Sequence, residues 1–264
     1  MNNTFLIGDI HGCFEDFQQL LNQMPIQEND KLILLGDLCS KGPDGIALLH
    51  WVINQHHVES IIGNHDLLLL HDLLVKPKFN SSAWLEQLKT AKQFDEMIDW
   101  LRSQSFMQQL DQHHCLVHAG LFCDWDDATL SEIEHHSSTL INPKFIKKHY
   151  EVMLDHLSPS QSDPHFWINV LVNIRYIDQH TKHLLQDFNA PEHRTHPESI
   201  PWFEAPTAYH QDLNVYFGHW SLLNKIQYGR FWCLDGGCVY GNQLIGLKLD
   251  DHTIYSVPSS IQKD

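Results

Sequence analysis

The chain has 264 residues, 42% of them hydrophobic and 19% charged, a balance that suits a globular fold and excludes a disordered polymer. Lys and Arg number 17 against 33 Asp and Glu, a formal charge of −16, so a broad basic surface for DNA is excluded. No apolar run approaches the ~20 residues that span a bilayer, so no membrane partner is expected. The start, Met1–Asn2–Asn3–Thr4, runs into a strand-like stretch without a basic segment and apolar core; no signal peptide is expected, and the cytoplasm is the expected compartment. The six cysteines (Cys13, Cys39, Cys115, Cys123, Cys233, Cys238) show no CxxC spacing and read as reduced thiols.

In chain order, Thr4–Ile7 predicts a buried strand, followed by a helix whose apolar face is Phe14, Phe17, Leu20, Leu21 and Met24. Lys31–Leu35 predicts a second strand, then a helix carrying Ile46, Leu49, Val52 and Ile53. Val58–Ile62 predicts a third strand, then a helix from Asp66 through Leu74. This βαβαβ pattern predicts a sheet with a parallel portion and right-handed crossovers. Trp84, Leu88, Ala91, Phe94, Ile98 and Leu101 recur at helical spacing and read as core packing. A strand at Cys115–Val117 is followed by helical sequence to about Gln186 and an irregular connection over Asn189–Pro206. Strands are predicted at Leu213–Phe217, Arg230–Leu234, Gln243–Leu249 and Thr253–Val257. The expected organisation is one α/β domain over residues 1–264, with helical insertions at roughly 76–110 and 126–205.

Five strand candidates run directly into turns rich in metal-ligand residues: Gly8–Asp9–Ile10–His11–Gly12, Gly36–Asp37, Gly63–Asn64–His65–Asp66, Val117–His118–Ala119–Gly120 and Gly218–His219–Trp220. In an open α/β sheet, residues just past the carboxyl ends of strands converge on one crevice. One such turn alone is only a tight turn with a local hydrogen bond, and a lone His near apolar strands is more often a core residue. Five in series point to chemistry. Carboxylate, imidazole and amide oxygen without thiolate suit manganese, iron, cobalt, nickel or zinc. Asp37 is the natural bridge between two ions, because one carboxylate offers an oxygen to each.

At these residues the sequence resembles the metallophosphoesterases, in the phosphoprotein-phosphatase branch with its GDxHG, GDxxxRG, GNHE and HAG signatures. Within that branch it is most similar to the bacterial symmetrical diadenosine tetraphosphatases. The likeness continues through Leu6–Cys13, Gly63–Leu67, Pro201–Trp202–Phe203, Phe217–Trp220 and Leu234–Cys238. It implies a four-layer sandwich of two mixed β-sheets flanked by helices. It implies that Asp9, His11 and Asp37 hold one metal, that Asp37, Asn64, His118 and His219 hold a second, and that His65 is the general acid. Manganese or cobalt would be the ions, and diadenosine tetraphosphate, split into two ADP, the substrate. Nucleoside-tetraphosphate caps on RNA 5′ ends are a further implied substrate.

Two departures from the branch pattern carry information. Ser40, in Gly36–Asp37–Leu38–Cys39–Ser40–Lys41–Gly42, replaces the Asp that orients the catalytic His in protein phosphatases, which speaks against the alternative of a Ser/Thr protein phosphatase. Lys41 replaces a phosphate-gripping Arg and lacks its planar fork. Arg175 matches an Arg-rich segment of the family, with a plain surface charge as the competing reading. Lys41, Arg175 and Tyr240 are the expected substrate contacts. Trp202, Phe203 and Trp220, like Tyr240, are aromatic candidates for base stacking, with core packing the alternative for each.

Overall fold

The first strand is apolar at consecutive positions, as expected where a strand is covered on both faces. In a computed structural model describing residues 2–77, 82–152, 160 and 162–262, Phe5, Leu6 and Ile7 of β1 (Thr4–Ile7) are fully buried. The backbone contacts gather into two units, Met1–Gln104 with Leu234–Asp264, and Ser105–Cys233. The first unit continues with α1 (Phe14–Gln23), β2 (Lys31–Leu34), α2 (Gly45–Val52), β3 (Val58–Ser60) and α3 (Asn64–Leu74). Strand β2 lies parallel to both β1 and β3, which is the predicted βαβαβ unit. Helix α1 buries Phe17 and Leu20, with Met24 at its cap, and exposes Glu15, Gln18 and Gln19, so its apolar stripe faces the core. The helical stretch that follows is two helices, α4 (Ser82–Lys89) and α5 (Phe94–Arg102). Gln93 breaks them apart by taking a left-handed backbone conformation at φ 62°.

The second unit opens with β4 (Met107–Asp111) and β5 (His114–Val117), followed by α6 (Asp127–Ser137), α7 (Pro143–Val152) and α8 (Pro164–Asn173). Strand β4 begins inside the stretch expected as helical insertion. A larger correction follows α8. Helical sequence was expected to about Gln186 and an irregular connection over Asn189–Pro206, yet β6 (Tyr176–Asp178), β7 (Leu184–Leu185) and β8 (Ser199–Pro201) form a small sheet in the order β7-β6-β8. These strands have two or three residues each, too few for a period-2 pattern to emerge from sequence. The unit's main sheet adds β9 (Asn214–Phe217), β10 (Gln227–Tyr228) and β11 (Phe231–Cys233) in the order β10-β11-β9-β5-β4. Strands β11, β9 and β5 run parallel and the two edge strands antiparallel. Aromatic rings fill its interior: Trp202 lies 5.3 Å from Phe217 and 5.1 Å from Phe231 between ring centres.

The chain then returns to the first unit through β12 (Gln243–Lys248) and β13 (Thr253–Pro258), completing a sheet ordered β13-β12-β1-β2-β3. The fold is therefore α/β, with two mixed five-stranded sheets and accompanying helices. The C-terminal segment is fastened to α1 through buried Asp16, whose carboxylate accepts from the Cys238 thiol at 3.3 Å and from the Ser260 N–H at 3.0 Å. All six cysteines are free and buried. No helix among the described residues is long and apolar enough to cross a membrane.

The turn after β1 depends on a close backbone approach. A Cβ on Gly8 would sit 2.0 Å from the Leu234 carbonyl oxygen. Gly8→Ala therefore forces two backbone segments apart, and we expect a loss of about 1–3 kcal/mol, the usual scale for overpacking. Thermal melting of the variant should fall by several degrees; an unchanged melting temperature would contradict the packing described.

Candidate active site

In the first unit, the loops after β1 and β2 are joined through their backbones. The His11 N–H donates to the Asp37 carbonyl at 2.8 Å and the Gly12 N–H to that of Leu38 at 2.7 Å. The Gly42 N–H returns to the His11 carbonyl at 2.7 Å. Three side chains that the motifs single out then converge. His11, Asp37 and His65 each bring a ligand atom to within 4.8 Å of the others. His11 Nε2 is 3.4 Å from Asp37 Oδ2, and the two imidazoles meet edge to face with centres 5.0 Å apart. Asp9, 2% exposed, follows at the end of β1, and half-buried Asn64 opens α3 beside His65.

Asp37 is held at every atom that matters. It adopts φ 52°, a conformation that disfavours a side chain, and its Oδ1 accepts from the His65 N–H at 2.8 Å. Its own N–H goes to Asp66. The Asp66 carboxylate, 1% exposed, accepts from the N–H groups of Asp37 at 2.8 Å, Leu38 at 2.9 Å and Gly63 at 3.0 Å. It thereby ties the turn after β2 to the turn after β3. Gly63 must lack a side chain, because a Cβ there would stand 2.2 Å from Asp37 Oδ1. Burial, then the charge of Asp37, pushes the Asp66 carboxyl above the usual range, while the three N–H groups work the other way. Burial and the same two carboxylates push the Cys39 thiol up, so it stays neutral.

Ser40 differs from expectation. From sequence it stands at the position that partners the catalytic His, yet its Oγ pairs with His11 Nδ1 at 3.2 Å. Lys41 and Tyr240, named separately from sequence, are found together: Lys41 Nζ donates to the Tyr240 hydroxyl at 2.7 Å and lies 5.2 Å from the ring centre.

In the second unit, β5 and β9 are parallel neighbours, and the ligand candidates lie just past their ends. His118 is fully buried and His219 7% exposed, with ring centres 5.0 Å apart. The Gly218 N–H donates to the His118 carbonyl at 2.8 Å, and His219 Nε2 lies 3.3 Å from the Asn173 carbonyl. Arg175 donates through Nη2 to the His219 carbonyl at 2.9 Å, so it is no plain surface charge. Trp202, Phe203 and Trp220 are 1%, 7% and 2% exposed and belong to the core, whereas Tyr240 is 51% exposed. Of the seven non-glycine residues with positive φ among those described, His11, Asp37, Lys41 and His219 are sequence-named site residues. Strained backbone gathers where side chains must be aimed.

The donor set fits hard-to-borderline divalent cations. Imidazole and carboxylate are present, and the nearby Cys39 is held as a neutral thiol. Asp9, Asp37 and Asp66 are all buried in the first unit, and buried carboxylates call for positive charge. Sequence reasoning gave Asp66 no role; its place three residues after Gly63, the spacing of a capping box, was the available signal.

The sequence profile of the calcineurin-like phosphoesterase family matches residues 3–220. The chain is 34% identical to the symmetrical bis(5′-nucleosyl)-tetraphosphatase of Proteus mirabilis strain HI4320, over 97% of each chain. Its fold is similar to a crystal structure of a protein provisionally assigned as a diadenosine tetraphosphatase, with TM-score 0.68 and 21% identity over 99% of this chain and 95% of that one. It also resembles a protein serine/threonine phosphatase of Saccharomyces cerevisiae, with TM-score 0.55 and 12% identity over 100% and 81%. The fold alone thus does not select a substrate.

Replacing Asp66 by Asn keeps the shape but turns one acceptor oxygen into a donor facing backbone N–H groups. We expect Asp66→Asn to cost about 1–3 kcal/mol, the scale of a buried polar group left unsatisfied. Melting in the presence of a chelator reads this without any contribution from metal; an unchanged transition would remove Asp66 from its structural role.

Proposed function

The chain belongs to the calcineurin-like phosphoesterase family, and from that premise we propose that it hydrolyses diadenosine tetraphosphate symmetrically, giving two ADP, on two divalent cations. The observation that carries the reading is the fixed, buried carboxylate of Asp37, which would serve as the bridge: its N–H is bound by Asp66, its Oδ1 by the His65 N–H, and its Oδ2 lies beside His11. Asp9, His11 and Asp37 would hold one ion, and Asp37, Asn64, His118 and His219 the other, with manganese or cobalt the best matches to these donors. When bound, the ions supply charge for the phosphoryl oxygens and lower the pKa of a water that serves as nucleophile. The profile match across residues 3–220 draws on both units and supports their working as one metallophosphoesterase domain. Six free, buried cysteines support a reducing, cytoplasmic setting.

The side chains divide the remaining work. Ser40 Oγ pairs with His11 Nδ1 while Nε2 lies beside Asp37; with Nε2 given to an ion, Nδ1 would carry the proton and donate it to Ser40. Lys41 and Arg175 bind phosphate oxygens, and His65 delivers a proton to the departing oxygen. A terminal phosphate has a second pKa near ~6, so ADP departs with little protonation. An imidazole without a carboxylate partner from position 40 suffices for such a leaving group. A serine alkoxide is far more basic, and that difference favours the dinucleotide over a phosphoprotein.

Three outcomes test the reading. Incubation with manganese and diadenosine tetraphosphate, followed by nucleotide separation, should give ADP alone; equal AMP and ATP would overturn the symmetrical assignment. Asp37→Asn should lower turnover by roughly 10²–10³-fold or more, the scale lost with one preorganised charged contact, and near-normal turnover at saturating metal would refute the bridge. In single-turnover measurements, His65→Ala should slow an alkyl phosphate ester by ~10²–10⁴-fold and the dinucleotide less. Equal losses would mean that His65 positions phosphate rather than donating a proton.

A further inference from the structure

Phe188 is 68% exposed, the largest exposure of any large apolar side chain among the described residues. A single exposed apolar residue needs no explanation when its loop is loose. Here the loop is pinned on both sides of the ring. Asp187 is buried, and its Oδ1 accepts from the Asn189 N–H at 3.0 Å and from Asn189 Nδ2 at 2.9 Å. Its Oδ2 accepts from the Thr195 N–H at 2.6 Å and from the Thr195 hydroxyl at 2.7 Å. Tyr176 of β6, itself buried, donates its hydroxyl to the Asn189 carbonyl at 3.0 Å. Five hydrogen bonds thus fix the residues flanking a ring that is left open to solvent.

The ring's position is equally specific. The Arg175 guanidinium lies over it at 5.3 Å from the ring centre, and the same guanidinium donates to the His219 carbonyl. Phe188 is therefore two contacts from a proposed metal ligand, with a phosphate-binding cation between. The aromatic residues Trp202, Phe203 and Trp220, which the sequence offered for stacking, are enclosed in the core.

We propose that Phe188 is a stacking platform for one nucleobase of the substrate, backed by Arg175, an inference that rests on the dinucleotide-hydrolase reading. A base attached to a phosphate held at Arg175 meets a rigid aromatic face beside it, and stacking on a preordered ring loses little conformational freedom. A phenyl ring carries no hydrogen-bonding group, so this site recognises that a base is present and does not read which base it is. Adenine and guanine dinucleotides should be accepted alike through this contact.

The test uses the full chain with manganese and compares wild type, Phe188→Ala and Phe188→Trp. Steady-state kinetics on diadenosine tetraphosphate are read beside the inhibition constant of inorganic tripolyphosphate, which has no base. Phe188→Ala should raise KM for the dinucleotide by about 5- to 150-fold, the range for loss of one base–aromatic stack. The effect on kcat should be small beside that, and Phe188→Trp should hold KM at or below the wild-type value. The tripolyphosphate constant should not follow the change in KM. A dinucleotide KM unmoved by Phe188→Ala in an active enzyme overturns the platform. Equal weakening of dinucleotide and tripolyphosphate also overturns it, because Phe188 would then act only by holding Arg175. Wild-type protein that cleaves no dinucleotide at all fails the underlying reading instead, so the two failures are distinguishable.

Discussion

Three backbone N–H groups end on one buried carboxylate, that of Asp66, and the geometry of the first unit's site depends on it. The turn after β2 must place Asp37 at a positive φ, where a side chain is disfavoured, and must direct its N–H inward. A buried N–H without an acceptor would cost about 1–3 kcal/mol. Asp66 supplies acceptors to two residues of that turn and to Gly63 of the next. A carboxylate suits the task because its two oxygens accept several bonds and charge-assisted bonds are the stronger kind. Its burial beside Asp37 raises its proton affinity, which shows that the unit concentrates negative charge where it can least be solvated. Cations bound at Asp9, His11 and Asp37 would relieve that repulsion, so the same carboxylates that aim the ligands also favour the ions.

The second unit reaches an equivalent end by a different device. Two parallel strands deliver His118 and His219 side by side, and the Gly218–His118 backbone bond sets their separation. Asn173, at the end of α8, and Arg175, just before β6, then contact His219 from one short segment. The helix-to-strand junction at 173–176 therefore holds His219 directly. The small sheet that follows is the support on which Arg175 and Phe188 are carried.

Much of this was legible in the sequence, for a physical reason. A buried parallel strand is written as a short apolar run, and a turn that throws a ligand past its end is written as glycine beside aspartate, asparagine or histidine. Both signals are local, so β1, β2, β3, β5 and β9 and the residues after them could be read one by one. Ser40 and Asp66 show the limit. Ser40 was noticed as a departure from a pattern and Asp66 was given no role, because a hydrogen-bond partner 28 or 29 residues away is not a local property. Strands β6, β7 and β8 escaped because two or three residues cannot show alternation. Phe188 escaped because exposure is decided by what packs against a residue, and nothing in its neighbours' identities announces that. For the same reason the sequence left Trp202, Phe203 and Trp220 open between core packing and stacking, and burial decides for the core.

A chain with a formal charge of −16 that binds a tetraphosphate must overcome its own field locally. The cations proposed above supply most of the attraction, which leaves direction to the few basic side chains. At position 41 the family's arginine is a lysine, whose ammonium lacks a planar fork and ordinarily sweeps a wide volume on its flexible stem. Tyr240 narrows that volume by accepting one of the three N–H donors at its hydroxyl edge, with the ammonium 5.2 Å from the ring centre. The backbone narrows it further: Lys41 has φ 75°, and Gly42 could not carry a Cβ, which would stand 2.2 Å from the His11 carbonyl. A Lys41 held in this way would present its remaining ammonium N–H groups to phosphate oxygens in the proposed site. Orientation that an arginine carries in its own planar group is here divided between a lysine, a tyrosine and the shape of one loop.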